Sequence, residues 1–104
     1  MNAGVGYYHQ TLVPNILRAT WTSPQLSSRG IGTGVVRGDN TKGFAGQYVV
    51  TYYLPDGDEA GTFDLRIEQL GAVYKMSWMK EGEEIYEGLG IETPEGLSIA
   101  YSKK

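Results

Sequence analysis

Turn signals break this chain at short, fairly even intervals, and that excludes most ways of folding it. Ser23-Pro24, Gly38-Asp39-Asn40, Pro55-Asp56-Gly57, Leu70-Gly71, Glu81-Gly82 and Pro94-Glu95-Gly96 fall roughly 11 to 18 residues apart. This is the spacing of strand–turn–strand, not of helix–turn–helix. Proline presets φ for the first central position of a turn, while glycine or asparagine accepts positive φ. No segment between the breaks is long enough to read as a helix.

Between the breaks, side chains alternate with period two. Phe63, Leu65 and Ile67 share one face of their segment, with Thr62, Asp64, Arg66 and Glu68 on the other. Tyr74, Met76 and Trp78 alternate with Lys75 and Ser77; Tyr48, Val50, Tyr52 and Leu54 share a side. Leu97, Ile99 and Tyr101 alternate with Ser98 and Ala100, and Leu17, Ala19 and Trp21 with Arg18 and Thr20. One buried face and one wet face is the antiparallel pattern.

Seven strands are expected on this basis. An eighth is expected around Tyr7 to Leu12, within a poorly patterned N-terminal segment, 1–14. Each strand leads through a turn into the next, so the predicted fold is all-β, an antiparallel up-and-down meander. About eight twisted strands remove their open edges most simply by closing into a small barrel. A two-sheet sandwich and a half-barrel completed by a second copy are the alternatives. A chain of 104 residues holds one such domain and no second core.

Two tryptophans are each followed by a Gly-x-Gly: Trp21 by Gly30-Ile31-Gly32, and Trp78 by Gly88-Leu89-Gly90. Glycine weakens a strand unless something packs closely against it. These glycines are expected to make room for a tryptophan ring on a neighbouring strand, as if one hairpin type were used twice.

From Phe44 onward the chain resembles small uncharacterised bacterial β-barrel domains. The residues that carry the likeness are Gly46-Gln47-Tyr48-Val49-Val50, Pro55-Asp56-Gly57, Gly61-Thr62-Phe63-Asp64-Leu65, Tyr74-Lys75-Met76-Ser77-Trp78, Tyr86-Glu87-Gly88-Leu89-Gly90 and Leu97-Ser98-Ile99-Ala100-Tyr101. The same meander, with a tryptophan-ended strand ahead of a glycine-rich one, is similar to the avidin family. That resemblance implies a closed antiparallel barrel of avidin or lipocalin type. None of the polar side chains that contact biotin in the avidin family matches a position here, so biotin binding is not implied.

Composition excludes several chemistries. Cysteine is absent, so disulfides, thiolate metal sites and cysteine nucleophiles are not available, and a reducing or an oxidising compartment suits the chain equally. A net charge of −3 with dispersed basic residues, of which Lys103-Lys104 are adjacent, argues against nucleic-acid binding. No apolar run approaches the roughly 20 residues of a membrane-spanning helix. The start, Met1-Asn2-Ala3-Gly4-Val5-Gly6, has neither the basic nor the apolar region of a secretory signal.

The candidate site is aromatic. Trp21, Tyr48, Tyr52, Phe63, Tyr74, Met76, Trp78 and Tyr86 either fill the barrel as its core or line a cavity for one small ligand. The core reading is the stronger, although buried tyrosine hydroxyls need partners and so imply polar or wet regions inside. Other motifs have plainer readings. Arg37-Gly38-Asp39 spells an integrin-binding tripeptide but is also ordinary turn chemistry. His9 is the sole histidine, with no serine elbow to serve. Asp56, Asp58 and Glu59, and likewise Glu81, Glu83 and Glu84, lack the ligand spacing of a calcium loop and read as turn charge. Gly30-x-Gly32-x-Gly34 has no helix after it to bind phosphate.

The expected function is therefore that of a non-enzymatic barrel, with no cofactor or metal, holding a small apolar or aromatic ligand. One alternative is a self-associating structural module, such as a homodimer. The last is a barrel isomerase or cyclase, placed behind the others because no acid–base pair can be named.

Overall fold

Strand–turn–strand repetition closes on itself in the folded chain. A computed structural model describes residues 3–104; Met1 and Asn2, the start of the expected N-terminal segment, lie outside it. Among the described residues eight strands run in chain order around a closed antiparallel barrel. They are β1 (Ala3–Gln10), β2 (Ile16–Thr22), β3 (Gly32–Gly38), β4 (Gly46–Tyr53), β5 (Glu59–Leu70), β6 (Val73–Lys80), β7 (Glu83–Thr93) and β8 (Gly96–Lys103). Closure comes from β8 pairing with β1, with Gly4 opposite Tyr101 and Gly6 opposite Ile99. No edge is left open.

The predicted turns lie where strands meet. Glu81 and Gly82 both take positive φ, 53° and 79°, as a two-residue type I′ hairpin requires. One connection escaped the sequence reading: Thr11 to Asn15, between β1 and β2. There Asn15 adopts φ 64°. The Thr11 hydroxyl donates to the Ile16 carbonyl at 2.9 Å, tying the loop to the next strand.

The N-terminal strand is present but begins earlier than expected, at Ala3 instead of near Tyr7. Its pattern was faint for a physical reason. Two of its inward positions are Gly4 and Gly6, which have no side chain to mark the buried face, so Tyr8 marks it alone.

All the other inward series stand as the alternation predicted, except that Leu54 falls just past the end of β4. Ser77 belongs to the outward series, yet it is buried. Its hydroxyl is hydrogen-bonded to the Glu84 carboxylate. Lys104, 2.8 Å away, and Ser77 together hold that carboxyl below its usual range, the lysine contributing most.

Large and absent side chains alternate around the wall. Trp21 is paired with Gly6 on one side and Gly32 on the other. Tyr52 stands between Gly34 and Gly61, and Tyr101 between Gly4 and Gly88. Each ring leans across a strand that offers it bare backbone. A Cβ at Gly34 would come 2.9 Å from the Tyr52 ring, and one at Gly88 would come 3.0 Å from the Trp78 ring. A Cβ at Gly32 would run into Trp21.

The glycine–tryptophan echo is therefore real at Gly32 and Gly88. It is not one hairpin used twice. Gly30 lies outside β3, in a loop at φ 112°, and the residue directly opposite Trp78 is Tyr86. The long β2–β3 connection also carries a 3-10 turn, Ser27–Arg29, whereas β6 and β7 meet in a tight hairpin.

The two ends of the barrel differ. At the lower end, where β1–β2, β3–β4, β5–β6 and β7–β8 connect, the interior is solid. Leu17, Val36, Val50, Leu65, Met76 and Leu97 are almost wholly buried. Phe44, from the β3–β4 connection, plugs this end against the edge of Tyr74, with ring centroids 6.4 Å apart. The Tyr48 hydroxyl fastens the plug by donating to the Phe44 carbonyl at 2.8 Å. The upper end carries the other connections, and there the interior rings are only half buried.

Candidate ligand-binding site

Half-burial at the upper end leaves a cavity of about 150 Å³. Five residues singled out in the sequence line it: Trp21, Tyr52, Phe63, Trp78 and Tyr86. Tyr48, Tyr74 and Met76 do not; they belong to the packed lower end. The Tyr74 hydroxyl donates to Glu92 at 2.7 Å, and that bond is the main reason its pKa is raised.

Four lining residues were not in the sequence set: Tyr8, Ala60, Ile99 and Tyr101. Ile99 and Tyr101 were legible as inward-facing, but nothing in the pattern separated the open end from the closed one. Ala60 arrives through an irregularity. Tyr52 pairs with Gly61 and Tyr53 with Glu59, so Ala60 is an extra residue bulged into the mouth. Tyr8 was hidden by the glycines that precede it.

The rings form a nearly continuous girdle. Trp21 meets Tyr52 edge-on at 5.9 Å, Tyr52 meets Phe63 at 6.1 Å, and Phe63 meets Tyr86 at 5.8 Å. Tyr86 meets Tyr101 at 5.9 Å, and Tyr101 meets Trp78 at 6.0 Å. The Trp78 indole then donates to the Tyr52 hydroxyl at 2.6 Å and closes the circuit. Edge-to-face contacts add roughly 0.5–1.5 kcal/mol each beyond burial, so the girdle is stiff as well as apolar.

A short polar relay runs along the cavity wall. Besides accepting from Trp78, the Tyr52 hydroxyl is hydrogen-bonded to the Tyr8 hydroxyl. Both phenols are pushed well above the ordinary tyrosine range, chiefly because burial disfavours the phenolate. They remain neutral hydrogen-bonding groups at any physiological pH. At the mouth, the Lys80 ammonium sits over the Phe63 ring, 5.1 Å from its centroid. Trp21 is anchored by its indole N–H, which donates to the Thr33 carbonyl at 2.9 Å.

The remaining motifs stay apart from this cavity. Asp39 follows the end of β3 and caps its own turn, accepting from the Thr41 amide at 2.9 Å and hydroxyl at 2.7 Å. Those bonds hold its carboxyl below the usual range. His9 lies on the β1 wall, stacked on Tyr7 with centroids 6.2 Å apart. Among the described residues no group of carboxylates or histidine converges to hold a metal ion, and no helix is long and apolar enough to cross a membrane. A second hollow lies on the outer wall, among Arg37, Gln47, Val49, Asp64 and Arg66.

No family model, no curated protein and no solved structure matches this chain.

Proposed function

We propose that this protein is a non-enzymatic binding barrel that holds one small, uncharged, aromatic or apolar molecule in its upper cavity. The observation that carries this reading is the difference between the two ends. One end is plugged and filled; the other ends in a ring of aromatics around about 150 Å³ of space. An apolar cavity of roughly that volume accepts a benzene-sized molecule.

Charge points the same way. Burial that keeps Tyr8 and Tyr52 protonated also penalises an ionised ligand placed beside them. It also removes these two phenols as general bases near pH 7. A single ring buried here should bind with a Kd from about millimolar down to tens of micromolar.

Toluene is a suitable probe. Adding it should change the emission of Trp21 and Trp78 and raise the melting temperature, because a ligand that binds only the folded state stabilises it. Ala60→Leu, which narrows the mouth, should weaken that response several-fold. Emission and melting both unchanged up to the solubility limit of toluene would contradict the proposal.

A second reading, self-association, is favoured by the outer wall of β7, β8 and β1. Val5, Ala100 and Leu89 stand side by side across three strands, as do Tyr7, Ser98 and Ile91. Leu89 is 59% exposed and Ile91 64%, beside a furrow of small residues on β8. A second copy could seat this ridge in its own furrow across a twofold axis. Under this reading, sedimentation shows a dimer that Leu89→Lys dissociates; a monomer at all concentrations would end it.

A further inference from the structure

The polar relay contains one more hydrogen than it can use. Trp78 contributes an N–H, and Tyr8 and Tyr52 contribute an O–H each, which makes three donors. The structure joins these groups by two bonds: Trp78 Nε1 to Tyr52 Oη at 2.6 Å, and Tyr52 Oη with Tyr8 Oη. If Tyr52 donates to Tyr8, the Tyr8 hydrogen is left over. If Tyr8 donates to Tyr52, whose oxygen then accepts twice, the Tyr52 hydrogen is left over.

No other hydrogen bond from either hydroxyl reaches a described residue. The nearby Tyr101 hydroxyl is turned away, donating to the Thr22 carbonyl at 3.2 Å. Tyr8 is only 1% exposed, so its hydroxyl is out of bulk solvent, and both phenols line the cavity. A buried donor without an acceptor costs free energy, and a ligand atom that accepts from it recovers that cost.

The geometry points to a specific ligand class: a neutral, single-ring molecule carrying one hydrogen-bond acceptor, such as a carbonyl or ether oxygen, directed at the Tyr8–Tyr52 pair. This rests on reading the upper cavity as a ligand site, and it adds the polar half of the recognition. The apolar part of the molecule lies against Phe63, Tyr86 and Trp21. Its acceptor receives the spare phenolic hydrogen. An ionised group beside the relay is disfavoured because burial penalises charge there and the nearby cation, Lys80, sits over Phe63 at the mouth and not in the relay. A ligand with only donors is disfavoured because the relay already has a donor in excess.

Acetophenone and isopropylbenzene test this, since they are close in size and differ in the carbonyl. Both are titrated into the full chain while tryptophan emission is followed. Acetophenone is expected to bind about tenfold tighter, although it is the more water-soluble of the two. In the triple variant Tyr8→Phe/Tyr52→Phe/Trp78→Phe, which removes every donor of the relay, isopropylbenzene should still bind, read by Trp21 emission, and the acetophenone advantage should fall about tenfold.

Equal binding of both probes to the native protein, or an advantage that survives in the triple variant, would overturn the assignment and leave the cavity reading standing. Binding of neither probe would overturn the cavity reading, and this inference with it. The infrared carbonyl stretch of acetophenone bound to the native protein is a readout that does not depend on the variant folding. A stretch lowered from its value in hexane is expected, and an unshifted one would overturn the inference.

Discussion

Trp78→Ala should cost the barrel about 3–5 kcal/mol, the usual range for removing a large buried aromatic. Against a typical total of roughly 5–15 kcal/mol, that is a large fraction of the stability. Trp78 is 3% exposed and covers Gly88, and its indole donates to Tyr52, so the substitution removes packing and one buried hydrogen bond together. Phe63→Ala provides the contrast. Its ring is only half buried at the mouth, so the loss should be about 1–2 kcal/mol, with the cavity enlarged. Urea unfolding measures both, and equal losses would contradict the distinction drawn between packed wall and open mouth.

Above pH 10 the barrel should lose stability steeply, and the direction follows from the buried phenols. Tyr8 and Tyr52 have folded-state pKa values raised well above 10.0, mainly by burial. Below the ordinary tyrosine pKa, both folded and unfolded chains keep the proton, so this pair makes stability independent of pH. Above it the unfolded chain releases protons that the folded chain retains, so stability falls as pH rises. Each such tyrosine should cost about 1.4 kcal/mol by pH 11, or about 3 kcal/mol for the pair.

Tyr48, pushed up to about 12 by burial and secondarily by Asp39, acts in the same direction. Thermal melts between pH 8 and 11.5, with phenolate absorbance followed in parallel, should show the slowest-titrating tyrosines ionising only as the barrel opens. A melting temperature that stays level through pH 11 would mean that these hydroxyls ionise freely in the folded state.

The wall of the barrel was readable because period-two alternation and turn chemistry are local. Phe63, Leu65 and Ile67 announce their face within seven residues, and Glu81-Gly82 announces its hairpin in two. What was not readable is how far along the axis each inward residue sits. Tyr48 and Tyr52 share a face of β4 and look alike in sequence, yet one fastens the Phe44 plug and the other lines the cavity. That difference depends on register between strands, which alternation does not encode. Tyr8 was lost for the opposite reason: Gly4 and Gly6 erase the alternation that would have marked it. The flanking of Trp21, Tyr52 and Tyr101 by paired glycines offers a usable signal, but only once the pairing is known.

The most direct test of a barrel with one solid end and one receptive end is methyl NMR during titration with toluene. Transfer of magnetisation from the probe and concentration-dependent shifts should appear at Ile99 and Ala60, which line the cavity, and not at Leu17, Val36 or Val50, which fill the closed end. Shifts spread evenly over both groups, or absent from both, would contradict the account.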